Sequence, residues 1–214
     1  HPNAATRLHA LWSLDGISAL SRDDILRGLS DDDTHVRHDS VRLTKAWIDD
    51  DAVFAKLSEL AIDSEPSVRF QVAIALGESQ RSETTQLLAK LALKDGPDSS
   101  FVSGLLTSTH ERSGAVLNAL VAQSDFAATG SSAKAQLVKR LATVVGVRGD
   151  VDELSTLLNS LAGNGTSSSG STVVWWQAAA ISGLGQGLPR YRGELGRLSL
   201  PLLLNNPPKG LAKA

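Results

Sequence analysis

The stretch DSEPSVRFQVAIALGE, residues 63–78, decides the fold. Ser64-Glu65-Pro66 leads into it, and proline suits the first turn of a helix, where a backbone N–H has no partner to lose. Beyond the proline, Val68, Val72 and Ala73 fall on one face of a helix. Pieces of the same pattern occur twice upstream, as DDDTHVRHDSVRL (31–43) and HPNAATRLHALWSL (1–14). Aligned on Arg7, Arg37 and Arg69, the three stretches are 30 and 32 residues apart. One position before the arginine stand Thr6, Val36 and Val68; three after it stand Ala10, Ser40 and Val72; four after it stand Leu11, Val41 and Ala73. Six positions before it stand His1, Asp31 and Asp63. An aspartate there sits in the turn leading into the helix, where carboxylates cap free N–H groups and favour the positive helix end.

Other helices lie between these. SRDDILRGLS (21–30) opens with Ser21 and carries Asp24 three residues on, close to a capping box. DAVFAKLSELAI (51–62) and SETTQLLAKLALKD (82–95) place apolar residues at helical spacing. The predicted unit is helix, short turn, helix, with a period of 30 to 32 residues; Asp before the turn, then Val-Arg, then small residues, resembles a HEAT-like repeat. The expected fold is all-α: a single domain over 1–214, an α-solenoid of stacked antiparallel helix pairs in an armadillo-like superhelix of about five to six repeats. Stacking aligns Val68 and Val72 over Val36 and Ser40. It also predicts a structural Asp–Arg ladder through Arg7, Asp31, Arg37, Asp63 and Arg69, fixing the stacking register by charge-assisted hydrogen bonds.

The second half keeps the rhythm and loses the signature. Helices are predicted over 99–110, 113–123, 131–147, 150–163 and 173–188, with a last one in part of 191–204, where Pro201 interrupts. GNGTSSSGST (163–172) reads as a flexible loop and 205–214 as a tail. ATVVGV and STVV are rich in β-branched residues but adjoin helical patterns.

Composition narrows the function classes. The chain is 42% hydrophobic with a net charge of −2, so nothing global draws it to nucleic acid or an anionic membrane. It has no cysteine, which excludes disulfides, thiolate metal sites, a cysteine nucleophile and a CxxCH haem attachment within it. No apolar run reaches about 18 residues, so no direct membrane insertion is expected. It opens His-Pro-Asn and lacks methionine, so a segment of a longer chain is expected.

Few residues offer chemistry. His35 and His38 lie three apart on one helix, beside Asp31, Asp32 and Asp33, but two imidazoles fall short of a catalytic metal set. The triplets Asp31–Asp33 and Asp49–Asp51 sit at helix boundaries, without the Gly and terminal Glu of an EF-hand; capping explains them. GLGQGLPR (183–190) follows a helix rather than a strand, so it reads as a helix C-terminus and not a phosphate cradle. Asn164-Gly165-Thr166 matches a glycosylation sequon, a pattern common by chance. No catalytic, metal or cofactor residue is assigned. One and five positions after the ladder arginines stand Leu8 and Trp12, His38 and Arg42, Phe70 and Ile74; these columns either pack on a neighbouring helix layer or meet a partner. Trp12, His38, Arg42, Phe70, Ile74 and Trp175 are the candidate interaction surface. Trp175 and Trp176 point about 100° apart, so one of them is expected inside.

HPNAATRLHALWSLDG resembles more than a generic repeat. His1-Pro2, Arg7 to Trp12, Leu14 and Gly16, with DDDTHVRHDSVRL, LVKRLATVVGVRGDVDEL and WWQAAAISGLGQGLPR further on, are similar to the helical-repeat region of large bacterial exported proteins known as membrane-bound dehydrogenases or haem-binding CxxCH proteins. There a sugar-dehydrogenase-like β-propeller, HEAT-like repeats and a c-type cytochrome domain share one chain. The resemblance covers most of residues 1–190. It implies a noncatalytic scaffold between a dehydrogenase-like and a cytochrome module, in a periplasmic or exported setting; the propeller site and haem cysteines have no counterpart here. The alternative is a stand-alone helical-repeat enzyme, bilin lyase-like or DNA glycosylase-like, which a large polar pocket of converging Asp, His and Arg would favour. No basic run supports nucleic-acid binding.

Overall fold

The computed structural model describes residues 1–163, 174–193, 199 and 201. Among them every regular element is helical. Helix packing divides the chain into two compact units: His1–Asp95 with Ser103–Ser108, and Gly96–Val102 with Thr109–Ala214.

The first unit holds α1 (Ala4–Gly16), α2 (Arg22–Leu29), α3 (Thr34–Arg42), α4 (Asp51–Leu60), α5 (Pro66–Leu76), α6 (Thr84–Asp95) and the second half of α7 (Ser99–Ser108). The starts of α1 to α5 have local causes. Asn3, Asp33 and Asp50 accept backbone N–H groups of the first turns of α1, α3 and α4; Ser21 and Asp24 form a reciprocal capping box on α2; Pro66 opens α5. The helices stack as an α-solenoid. α1 lies against α3 and α3 against α5 in one layer, while α2 lies against α4 in the other. The columns read from sequence are the stacking surfaces: Val36, Val41, Val68, Val72 and Ala73 are at most 1% exposed. Ser40 is buried too, and its hydroxyl donates to the Val36 carbonyl at 2.7 Å, which removes the cost of burying it. Gly28 of α2 has no side chain because a Cβ there would collide with Ser40 Oγ. A short 3-10 segment, Leu43–Trp47, bridges α3 to the turn before α4.

The second unit holds α8 (Ser113–Val121), α9 (Ser124–Ala128), α10 (Ser132–Arg148), α11 (Val151–Gly163) and α12 (Trp175–Gly187). ATVVGV lies inside α10. The sequence reading has no α9, which at five residues is too short to show a period. Gly163, shared in the sequence reading between the helix over 150–163 and the loop over 163–172, is the last residue of α11. The rest of that loop, the sequon, the last predicted helix beyond residue 193 and the tail lie outside the described residues, apart from Ser199 and Pro201.

GLGQGLPR is the C-terminal end of a helix, as read, and it is also a packing surface. α12 runs through to Gly187 before a 3-10 turn at Leu188–Arg190. Gly183 and Gly187 sit where α12 crosses α10: a Cβ on Gly183 would overlap the Lys139 carbonyl oxygen, and one on Gly187 the Thr143 carbonyl oxygen. The backbones are in contact there, and Thr143 Oγ1 lies 3.2 Å from the Gly183 carbonyl oxygen. Gly185, in contrast, has nothing within 4 Å of its Cβ position. Gly183→Ala is therefore expected to lower the unfolding free energy by about 1–3 kcal/mol, through overpacking. Gly185→Ala is expected to be neutral or to raise it by up to about 1 kcal/mol, through helix propensity. Urea denaturation of the two variants checks the contrast.

Candidate functional site

The turns between helix pairs carry the densest polar geometry in the first unit. Arg7 Nε and Nη2 donate to the two carboxylate oxygens of Asp31 at 2.7 and 2.6 Å. Arg37 does the same to Asp63 at 2.9 and 3.1 Å, and Arg69 to Asp95 at 2.8 and 2.5 Å. The remaining Nη1 of each arginine turns back to its own repeat. It donates to the carbonyls of His1 and Pro2, of Asp31 and Asp32, and of Asp63 and Ser64 respectively. Each guanidinium thus makes four hydrogen bonds, two to the turn behind its helix and two to the aspartate of the next repeat. The aspartates also tighten their own turns: Asp31 accepts from Asp33 N–H, and Asp63 from Glu65 N–H, both at 2.9 Å. Asp95 is absent from the sequence reading, although it follows Arg69 by 26 residues as Asp63 follows Arg37.

Electrostatics follow the geometry. The bonds from Arg7, backed by the Asp33 N–H, hold the Asp31 carboxyl below the usual carboxylate range. Burial pushes Asp63 up, but the bonds from Arg37 and the Glu65 N–H outweigh it and leave Asp63 low as well. Asp63 in turn raises the Arg37 guanidinium.

The opposite edge of this unit is tied differently. Asp50 caps α4 and meets Arg22 at 3.2 Å; Asp51 pairs with Arg81 at 2.6 Å; Asp49 accepts from the Ser79 hydroxyl at 2.6 Å. The Arg81 guanidinium lies 4.6 Å over the Phe54 ring. Each acidic triplet therefore splits its work between capping its own helix and reaching another repeat, which capping alone does not describe. Among the described residues no group of three or more His, Cys, Asp or Glu is placed to hold a metal ion, His35 and His38 included.

The candidate interaction residues divide into two groups. Phe70 and Ile74 face α7, where a Cβ on Gly104 would overlap the Phe70 ring and lie 3.2 Å from Ile74 Cδ1. Trp175 donates its indole N–H to the Ala127 carbonyl at 2.7 Å and tilts against Phe126 at 5.5 Å; Trp176 is 3% exposed. These side chains pack against neighbouring helices. Trp12, His38 and Arg42 gather instead around Asp39, a residue the sequence reading missed because nothing distinguishes it from an ordinary helix-surface acid. In the second unit Glu153 accepts from Gly114 N–H and from Arg148, both at 2.7 Å. Burial raises its carboxyl above the usual range against those donors. It borders a cavity of about 350 Å³ with Arg112, Asp150 and Asp152, and both its oxygens are taken up in tying α8 to α11.

A family model described as HEAT repeats matches residues 23–102. Residues 23–102 are a HEAT-like repeat region. The match contains the Arg37–Asp63 and Arg69–Asp95 rungs entire. No curated protein and no solved structure matches the chain.

Two outcomes are expected from the ladder. Arg37→Ala strands the Asp63 carboxylate, whose side chain is 7% exposed, and should lower stability by about 3 kcal/mol in thermal or urea unfolding; Arg37→Lys, which lacks the planar fork, should recover only part of it. Asp63 has a folded-state pKa below its unfolded value of 3.8, so its contribution is present above that pH and is lost as pH falls through the lowered value. The stability gap between the native chain and Asp63→Asn should accordingly close as urea titrations move from neutral pH to below pH 3.8.

Proposed function

We propose that this chain is a noncatalytic HEAT-like scaffold for protein or interdomain contacts, held between a dehydrogenase-like module and a c-type cytochrome module of a larger exported protein. The Arg–Asp ladder carries the scaffold reading. The ladder arginines and aspartates of the first unit are spent on one another, with two hydrogen bonds forward from each arginine and two back to its own turn, which suits a stiff spacer rather than catalysis. Glu153 borders a polar cavity in the second unit, and both its oxygens are engaged in holding helices together. Repeats of this kind serve as extended binding surfaces. The placement between redox modules, and the periplasmic or exported setting, rest on the sequence resemblance at residues 1–16 and at the three later motifs. Among the described residues no helix is long and apolar enough to cross a membrane.

The test is binding. Separately expressed dehydrogenase-like and cytochrome modules from the same reading frame should each co-elute with residues 1–214 in size-exclusion chromatography. A reading frame encoding neither module overturns the placement, and failure of both modules to bind at concentrations of tens of micromolar overturns the scaffold reading.

A further inference from the structure

Asp39 lies on α3 beside Trp12 of α1, with a side chain only 17% exposed. Its Oδ2 accepts the Trp12 indole N–H at 2.7 Å, and its Oδ1 is 2.7 Å from His38 Nδ1 and 3.7 Å from Arg42 Nη1. The Arg42 guanidinium carbon stands 5.1 Å over the Trp12 ring. Burial pushes the Asp39 carboxyl up, but the donors from Trp12 and His38 outweigh it, so it stays a carboxylate. One sunken anion therefore orients an indole, an imidazole and a guanidinium whose other ends face water.

Those outer ends are unspent. Arg42 is 49% exposed and makes no hydrogen bond to any described residue; Asp39 is its nearest carboxylate, beyond hydrogen-bond reach. The ring nitrogen of His38 opposite Asp39 likewise meets no described partner. A guanidinium offers a planar fork of donors that matches a carboxylate bidentately. Here it is held against an aromatic face, so little side-chain freedom is left to lose on binding. Tryptophan and arginine are also the side chains that most often dominate binding surfaces. The first unit as a whole carries 11 Lys and Arg against 16 Asp and Glu, so its net charge gives an acidic ligand no general attraction, and binding here has to come from the local fork.

We propose that Arg42, stacked on Trp12 and oriented by Asp39, is the docking point for a carboxylate side chain of a partner protein's acidic segment. Asp39 is a positioning residue: it touches Trp12 and His38 and does not meet the partner. The proposal rests on the scaffold reading and names the place and the chemistry of one contact.

A hexaglutamate peptide is the probe, followed by the NMR signal of the Trp12 indole N–H, assigned by its loss in Trp12→Phe. The peptide should move that signal saturably, less so at high salt. Arg42→Gln should weaken the binding tenfold or more, and Arg42→Lys, which keeps the charge and loses the fork, should fall between. Arg42 sits at the exposed end of α3, so an unchanged circular-dichroism melt shows that the variants fold. Equal binding by Arg42→Gln, an unmoved Trp12 signal up to millimolar peptide, or a hexalysine peptide moving it instead each overturns the proposal. In the co-elution experiment Arg42→Gln should release at least one module. If both complexes survive it, the patch is wrong and the scaffold stands; if the native chain forms no complex, the scaffold reading itself is wrong.

Discussion

An arginine that must satisfy two repeats at once is the constraint on which the first unit depends. Arg7, Arg37 and Arg69 each reach back to two carbonyls of their own turn and forward to the aspartate of the next. The backward pair fixes the path by which the chain enters the helix, because two consecutive carbonyls must point at one nitrogen. The forward pair fixes how far the next repeat is rotated and slid, because a bidentate carboxylate tolerates little of either. Once both are set, Val36 and Ser40, and Val68 and Val72, have only one way to meet the preceding layer. The apolar columns supply most of the free energy of stacking, and the ladder selects which stacking they adopt.

The ladder does not continue indefinitely. Asp95 receives Arg69, but six residues beyond Asp95, where an arginine would stand, is Phe101, 5% exposed. From there the second unit uses other devices. Gly114 leaves room for the Glu153 carboxylate, Gly183 and Gly187 bring α12 into backbone contact with α10, and Lys134 Nζ closes the end of α9 on three carbonyls. The family match ends at residue 102, seven residues beyond the last rung at Asp95.

Much of this was legible in the sequence because it is periodic. The three arginine columns place the helices, their buried faces and the aspartates before them. Helix starts were readable where one short-range capping rule governs, as at Ser21 and Asp24. What the sequence hides is contact between residues far apart in the chain and alike in kind. Asp39 is one acid among many until Trp12 lies beside it, and Gly183 and Gly187 look like helix breakers until α10 is seen to need the space. Phe70 and Ile74 are as apolar as a binding patch would be, and only Gly104, on a helix some thirty residues later, shows what they press against. The columns beside the ladder thus mark the seam between successive layers, and around Asp39 they present polar groups to water.

The spacings within the ladder have a consequence for how such a chain changes length. From aspartate to arginine the count is six in both complete cases, Asp31 to Arg37 and Asp63 to Arg69. From arginine to the next aspartate it is 24 in one repeat and 26 in the next two. The short interval is inelastic, since one added residue turns the guanidinium about 100° round its helix and away from both sets of acceptors. The long interval contains the second helix of the pair and its turns, and it differs by two residues between repeats while the rung is kept. A residue or two can therefore be added inside a repeat while the repeat boundary stays fixed, and the shortest length that can be added at the boundary with every rung kept is a whole helix pair.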